Sequence, residues 1–520
     1  MTRVSAQRRP GAATAVRFDV ASHRTAWAGA LGLLFFALVL LIQRFDAPVV
    51  LLAAVALAAG VSLVLRPELA TMLTVFLLYT NIPAILTKRH GVPVAAAGAF
   101  IALLGIPLLY AIIIRREPLR LDATLRLMLV YLAVVLCSSL VAKDSGVTLD
   151  YAQKFAAEGL LLYLLVVNVV RSGATLRRVI WTALAAGSLL GAVTTYQEVT
   201  GHFRQEFGGL AARNYEFMEL RQRDQSDPEV RELIQSYTER YGKSGRAPRA
   251  NGPLDEPNRF GQIMVVLLPL SLLCYRTGRT AWSRAAAMAA AALISSAIVY
   301  SESRGAFVTL VILALLAGTI RWVRPAYVLT AALVGLLLAP LVAPKYVERL
   351  ASLAGVTTLA EGAASAEADG ALKGRAAAMT SAARVFLDHP ILGVGAGQFQ
   401  PFYSVEYQQN DPRFRFREPR PYMAHSLYLQ LGAELGVVGL VAFLSIFGFQ
   451  LRELDRARRR WSASRPELSQ LATAVAFSIL AYLGAAVFLH MGFERYLWLV
   501  VALAGATLHL VHDATQAEAQ

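Results

Sequence analysis

The sequence predicts an all-α polytopic membrane protein with about 12–14 transmembrane helices and a large, partly helical loop on the outer face. Of its 520 residues, 56% are hydrophobic and only 16% are charged, and the mean hydropathy is +0.50. Soluble domains carry about 25% charged residues. Apolar runs long enough to cross a bilayer recur from one end of the chain to the other, and this pattern excludes a soluble globular fold.

The apolar runs give about fourteen candidate spans, each of roughly 16–22 residues. They begin near residues 26, 47, 69, 93, 123, 155, 177, 259, 283, 304, 325, 427, 468 and 493. The segment before the first run is basic and polar over about 25 residues, without the short basic region and early cleavage site of a signal peptide. We interpret it as a cytoplasmic tail.

The distribution of Lys and Arg orients these spans, because cytoplasmic loops of membrane proteins carry an excess of positive charge. With the N-terminus in the cytoplasm, most of the basic residues of the short connections lie on the inner side, namely Arg66, Arg115, Arg116, Arg120, Arg171, Arg177, Arg178, Arg276, Arg279, Arg284, Arg321, Arg324 and those of the 452–467 loop. The short outer connections hold only Arg44, Lys88, Arg89, Lys143, Lys154 and Arg495. This topology accounts for much of the net charge of +15, and no nucleic-acid-binding motif accompanies it.

Two long polar segments interrupt the spans, and the count of spans places both on the outer face. The predicted organisation is a basic tail (1–25), N-terminal spans (26–197), an outer loop (198–258), core spans (259–342), a large outer loop (343–425), C-terminal spans (426–512) and a cytoplasmic tail (513–520). In the large loop, KYVERLASLAG predicts a short surface helix, and GRAAAMTSAARVFLDHP predicts a helix that stops before Pro390. ILGVGAGQF predicts a glycine-rich turn.

Arg304 and Arg375 are candidate anion-binding residues. Arg304 lies at the outer end of a span. An arginine at such a position can also simply extend its side chain to the membrane interface, without a binding role. Arg375 opens the predicted loop helix, and a loop arginine is often a solvated charge. A guanidinium group donates two parallel hydrogen bonds to phosphate, so two arginines at one outer cavity would suit a pyrophosphate.

The stretch MAHSLYLQLGAELGVVGL at 423–440 places polar groups at the mouth of a span. His425 could accept or hold a proton near neutral pH, or it could be an interfacial anchor. Tyr428 follows three residues later on the same helix face, and Gln430 and Glu434 share a face four residues apart. These side chains could line a polar cavity that binds substrate, although Tyr428 also fits an interfacial aromatic belt.

Other chemistry finds little support in the sequence. Cys137 and Cys274 lie in apolar runs and are interpreted as small core residues. No cluster has convincing metal-ligand spacing, and there is no GxSxG or Walker motif. Asp255, Glu256 and Asn258 in NGPLDEPNRFGQ are most simply a turn and a helix cap. The aromatic and basic run at 402–422 suits sugar stacking or an ordinary juxtamembrane surface.

Four pieces, taken in order, resemble the O-antigen ligase-related superfamily. They are SRGAF at 303–307, GRAAAMTSAARVFLDHPILGVGAGQF at 374–399, AHSLYLQLGAELGVVGL at 424–440 and the long outer loop. NGPLDEPNRFGQIMVVLLPL upstream is similar to the family as well. The sequence departs from the common pattern in having Ser426 where asparagine is frequent, and in lacking a tryptophan near Arg375.

The resemblance implies a membrane glycosyltransferase of the bacterial inner membrane with its active site on the periplasmic face. Its donor would be a glycan on undecaprenyl pyrophosphate, and its acceptor a saccharide, lipid A–core for a ligase or another lipid-linked repeat unit for an O-antigen or exopolysaccharide polymerase. It implies inverting chemistry without a metal or other cofactor, and catalytic roles for Arg304, Arg375 and His425. Its partners would be these substrates and the lipid bilayer, without nucleic acid.

A multi-span transporter is the alternative from another class. Transporters place charges near the bilayer midplane on broken helices, whereas the candidate charges here lie at outer helix mouths and in loops.

Overall fold

The computed structural model describes residues 67–92, 104–203, 205–212, 231, 249–254, 256–342, 344–351, 370–409, 421–489 and 495–520. The described residues form helices, with a single isolated antiparallel bridge between Ala212 and Gly252. The predicted all-α polytopic fold is confirmed. The predicted spans near 26 and 47, and the beginning of the one near 93, lie outside the described residues.

The N-terminal described helices are α1 (Pro67–Thr80), α2 (Ile82–His90), α3 (Gly105–Leu109, continued by a π turn Tyr110–Ile114), α4 (Ala123–Leu140), α5 (Ser145–Val169, with a π segment Phe155–Leu161) and α6 (Gly173–Thr200). The helix α5 begins at Ser145 rather than near residue 155, because Asp144 accepts the Gly146 N–H and starts the helix in a polar stretch.

The following helices are α7 (Pro257–Arg276), α8 (Ala281–Tyr300), α9 (Arg304–Thr319), α10 (Pro325–Val342), α11 (Pro344–Ala351), α12 (Gly370–Asp388), α13 (Ser404–Gln409), α14 (Leu427–Arg460), α15 (Pro466–Ala485) and α16 (Arg495–Ala519). In the described part of the chain, eight helices are long and apolar enough to cross a membrane, or nine if the bent pair α1–α2 counts as one span. The two helices predicted within 343–425 are present as α11 and α12.

The core lies where α7, α14, α15 and α16 pack together, with α4 and α5 against them. Trp498 is fully buried, and its ring lies 4.9 Å from Phe155 and 6.2 Å from Phe443. Polar side chains bond across this core, since Gln262 donates to the Tyr482 carbonyl and Gln450 to the Val501 carbonyl. Such bonds hold helices together where the surroundings are as apolar as the side chains.

The bundle has two chemically different ends. The predicted cytoplasmic arginines form ion pairs at one end, where Arg171 lies 3.0 Å from Glu117 and Arg120 lies 2.9 Å from Asp513. The opposite end carries the beginnings of α7, α9 and α14 together with the glycine-rich segment 393–398, which follows α12. The candidate site lies at this second end.

Candidate functional site

Three helices begin at one corner of the bundle. The second turn of α7 lies so close to the turn before α9 that a Cβ on Gly261 would come within 2.7 Å of the Ser301 hydroxyl. The first residue of α14, Leu427, donates its N–H to the Ala486 carbonyl at 3.0 Å. Phe488 of the same 486–488 segment contacts Gly305 of α9. Helix N-termini carry partial positive charge, so their convergence favours an anion.

Arg304 is held at the start of α9 by a tight turn. Glu302 takes a left-handed conformation (φ 49°), and Ser303 caps the helix by accepting the Ala306 N–H at 3.3 Å. The Tyr346 hydroxyl of α11 donates to the Ser303 carbonyl at 2.9 Å. The half-buried Arg304 side chain therefore extends from a backbone that hydrogen bonds hold in place.

A hydrogen-bonded chain joins this turn to the start of α7. Arg249 donates to the Ser301 carbonyl at 2.8 Å and to the Asn258 side-chain oxygen at 2.9 Å. Asn258 in turn donates to Glu256 at 2.7 Å, and Glu256 accepts the Arg259 N–H at 2.7 Å. The predicted helix cap in NGPLDEPNRFGQ is confirmed at Glu256, whereas Asp255 lies outside the described residues.

His425 takes a left-handed backbone conformation (φ 51°) two residues before α14. Burial, together with the positive charges of Arg375 and Arg259, lowers the pKa of His425 to about 4, and the carboxylate of Glu256 partly opposes this shift. The imidazole is therefore neutral at physiological pH and able to accept a hydrogen bond. The structure thus brings the predicted Arg375 and His425 into one electrostatic environment.

The other three predicted residues face protein groups. The Tyr428 hydroxyl donates to the Leu483 carbonyl at 2.7 Å, which ties the start of α14 to α15. Gln430 donates to Glu434 at 3.1 Å, and Glu434 accepts the Gly397 N–H at 2.9 Å. Gln430 and Glu434 share a face as predicted, but that face is buried against the glycine-rich segment, and Glu434 is only 1% exposed.

A known family matches most of these elements, although not the start of α7. Residues 263–444 match the family model described as O-Antigen ligase. This segment is a domain of the O-antigen ligase-related superfamily. No curated protein matches the chain. The family model supports a function of O-antigen ligase or polymerase type in glycan assembly, on a multi-pass membrane protein.

The O-antigen ligase segment contains all six predicted site residues, but two charged neighbours of His425, Glu256 and Arg259, lie before it. Arg259 occupies the first turn of α7, outside 263–444, and is not among the predicted site residues. A signal was present in the sequence, because a positive charge in the first turn of a helix opposes the helix dipole. Such local conflicts concentrate at functional sites.

Proposed function

We propose that the protein is an O-antigen ligase-like glycosyltransferase that moves a glycan from undecaprenyl pyrophosphate to an acceptor saccharide, lipid A–core. The observation that carries the proposal is the grouping of Arg375, Arg259 and a neutral His425 at the corner where three helix N-termini converge. Guanidinium groups and helix N-termini both favour a pyrophosphate. The O-antigen ligase family match supplies the reaction type.

The proposed location is the periplasmic face of a bacterial inner membrane. The arginine-rich end of the bundle faces the cytoplasm by the positive-inside rule. The corner with His425 is at the opposite end, where a flipped lipid-linked glycan is accessible.

The proposed step is an in-line displacement at the anomeric carbon with inversion. An acceptor hydroxyl oxygen forms the new bond to that carbon while the bond to the pyrophosphate oxygen breaks, and undecaprenyl pyrophosphate leaves. Arg304 and Arg375 bind the pyrophosphate and stabilise the charge that develops on it. The hydroxyl proton passes to the neutral imidazole of His425 in this mechanism.

The low pKa of His425 is consistent with a base role. The donor pyrophosphate brings negative charge next to Arg375 and so offsets the charge that lowers the pKa of His425. The imidazole becomes more basic when the donor is bound. In the alternative role, His425 orients the leaving phosphate.

The first test is mass spectrometry of undecaprenyl-linked glycans in a strain that lacks the protein. We expect long polymers to accumulate on the lipid, and the wild-type gene but not a His425→Ala variant to clear them. His389→Ala is the matched control, because His389 is an exposed histidine of the same outer segment.

The outcomes separate the candidate functions. Single repeat units on the lipid would assign a polymerase instead of a ligase. An unchanged pool of lipid-linked glycans, or full clearance by the His425→Ala variant, would overturn the proposed mechanism.

A further inference from the structure

Helix α14 is broken at Gly436, and the chain that follows α12 forms hydrogen bonds with the broken turn. Gly436 has φ 63° and ψ −165°, which interrupts the helical bonds of Val437 and Val438. Their N–H groups donate instead to the carbonyls of Pro390 (2.8 Å) and Ile391 (3.3 Å). The break therefore leaves two carbonyls of α14 without their usual partners.

Those two carbonyls belong to Ala433 and Glu434, and the same segment satisfies them. The Val394 N–H donates to Ala433 at 3.0 Å, and the Gly395 N–H donates to Glu434 at 2.8 Å. The helix thus donates two backbone hydrogen bonds to the segment and accepts two from it. Gly393 approaches the Glu434 backbone so closely that a Cβ there would lie 2.3 Å from its carbonyl carbon.

The Glu434 side chain adds a further hydrogen bond between the helix and the segment. One carboxylate oxygen accepts the Gly397 N–H at 2.9 Å, and the other accepts from Gln430 at 3.1 Å. The carboxylate lies beside the bonded hydroxyls of Tyr131 and Tyr151, which are 3.1 Å apart. A buried carboxylate costs free energy unless it is hydrogen-bonded, and one in a transmembrane helix usually serves function.

The far side of the segment is fixed to the N-terminal half of the chain. Gln398 donates to the Asp144 carbonyl at 2.7 Å and accepts the Asp144 N–H at 3.0 Å. The Thr148 hydroxyl donates to the Ala396 carbonyl at 3.0 Å. The segment 393–398 is therefore held between Glu434 on one side and the 144–148 corner on the other.

This segment follows the helix that carries Arg375 and packs against the helix that begins two residues after His425. Arg375 is on α12, which precedes the segment, and His425 lies two residues before α14. A small core of Ala382, Val385, Val394, Phe399, Ala424 and Ala433 lies between these helices. Its members come from α12, the segment and the residue after it, the residue next to His425, and α14, so the segment is packed against both sides of the predicted catalytic pair.

We propose that Glu434 is a positioning residue, which fixes the glycine-rich segment 393–398 and through it the placement of Arg375 relative to His425. The proposal rests on the proposed function for its effect on catalysis. It replaces the sequence-based interpretation in which Gln430 and Glu434 bind substrate directly.

The test compares Glu434→Ala and Glu434→Gln in purified full-length protein. Hydrogen exchange of the peptide covering 393–399 is measured without substrate, and glycosyl transfer is measured as separate kcat and KM values for the donor. In Glu434→Ala we expect exchange of this peptide to rise and kcat to fall, each by about tenfold, the equivalent of one hydrogen bond to a charged group. Glu434→Gln should recover most of both losses because it keeps an acceptor oxygen.

Gln450→Ala is the matched control, because Gln450 is equally buried in α14 and bonds to α16 far from the segment. It should lower thermal stability without raising exchange at 393–399. A Glu434→Ala protein with unchanged exchange and a raised donor KM would show that Glu434 binds substrate and would overturn the proposal. If exchange rises in Glu434→Ala but the wild type transfers no glycan, the proposed function fails while the contact itself is upheld.

Discussion

At the scale of single residues, two strained backbone positions support the candidate site. Glu302 and His425 both have positive φ angles, 49° and 51°, although neither is a glycine. Such conformations are uncommon and cost about 1–3 kcal/mol, and they persist where surrounding contacts enforce them. Each lies two residues before a helix that begins at the site, Glu302 before Arg304 of α9 and His425 before Leu427 of α14.

The charge state of His425 is a prediction at this scale. Because its pKa is about 4, the imidazole should stay neutral as the pH falls from 8 to 5. Diethyl pyrocarbonate acylates only neutral imidazole, so the rate at His425, followed by peptide mass spectrometry, should be nearly constant over that range. Replacing Arg375 by glutamine removes a positive charge, so the pKa should rise and the loss of reactivity should begin at higher pH.

The same shift has a consequence for stability. A histidine whose folded-state pKa lies below its unfolded value of about 6.5 favours the folded state above that value. This contribution is lost as the pH falls from 6.5 toward 4.

The reactivity measurement has one contradicting outcome. If the acylation rate of His425 depended on pH in the same way in the wild type and in Arg375→Gln, the proposed proximity of the two residues would be contradicted.

At the scale of helices, the break in α14 makes a sharp prediction for its glycines. Gly436→Ala places a Cβ 2.2 Å from the Ile391 carbonyl oxygen in a backbone conformation that other residues rarely adopt. We expect a loss of about 2–4 kcal/mol and a matching fall in glycosyl transfer. Gly448→Ala in the same helix has open space around its Cβ and should change stability by less than about 1 kcal/mol.

Thermal unfolding of the two variants in detergent checks this comparison. Equal melting temperatures for Gly436→Ala and Gly448→Ala would show that the break is not needed to hold the segment.

Much of the helical framework could be predicted because start signals accompany the apolar runs. Asp122, Ser172, Thr280 and Ser303 each cap a helix by accepting a backbone N–H in the next turn. The glycines of ILGVGAGQF were predicted to form a turn, and Gly393, Gly395 and Gly397 all have positive φ. Hydropathy reports only side-chain polarity, so it could not reveal the break at Gly436 within an apolar run.

The candidate site was predictable only in part. The family motifs predicted Arg304, Arg375 and His425, and the i,i+4 spacing placed Gln430 and Glu434 on one face. Spacing along a helix does not tell what that face meets, and here it meets the backbone of 393–398. Arg259 escaped prediction because its effect on His425 depends on how α7 packs beside α14, a contact between distant parts of the chain.

At the scale of the whole molecule, the N-terminal helices complete the O-antigen ligase segment. The match begins at residue 263, yet Asp144 and Thr148 hold the glycine-rich segment and Arg249 holds the turn before Arg304. The bundle also separates an arginine-rich end from the end with the candidate site. This separation suits an enzyme that takes a lipid-linked donor on one face of the membrane only.

The most direct test of the central claim is transfer by the purified protein in lipid nanodiscs. The substrates are an undecaprenyl-pyrophosphate-linked glycan and a lipid A–core acceptor, and mass spectrometry measures both glycosylated acceptor and free undecaprenyl pyrophosphate. We predict that the two products form in equal amounts and that His425→Ala forms neither, while it unfolds at the same temperature as the wild type. Equal product formation by wild type and His425→Ala, or no transfer by the folded wild type to either this acceptor or a second lipid-linked repeat unit, would contradict the account.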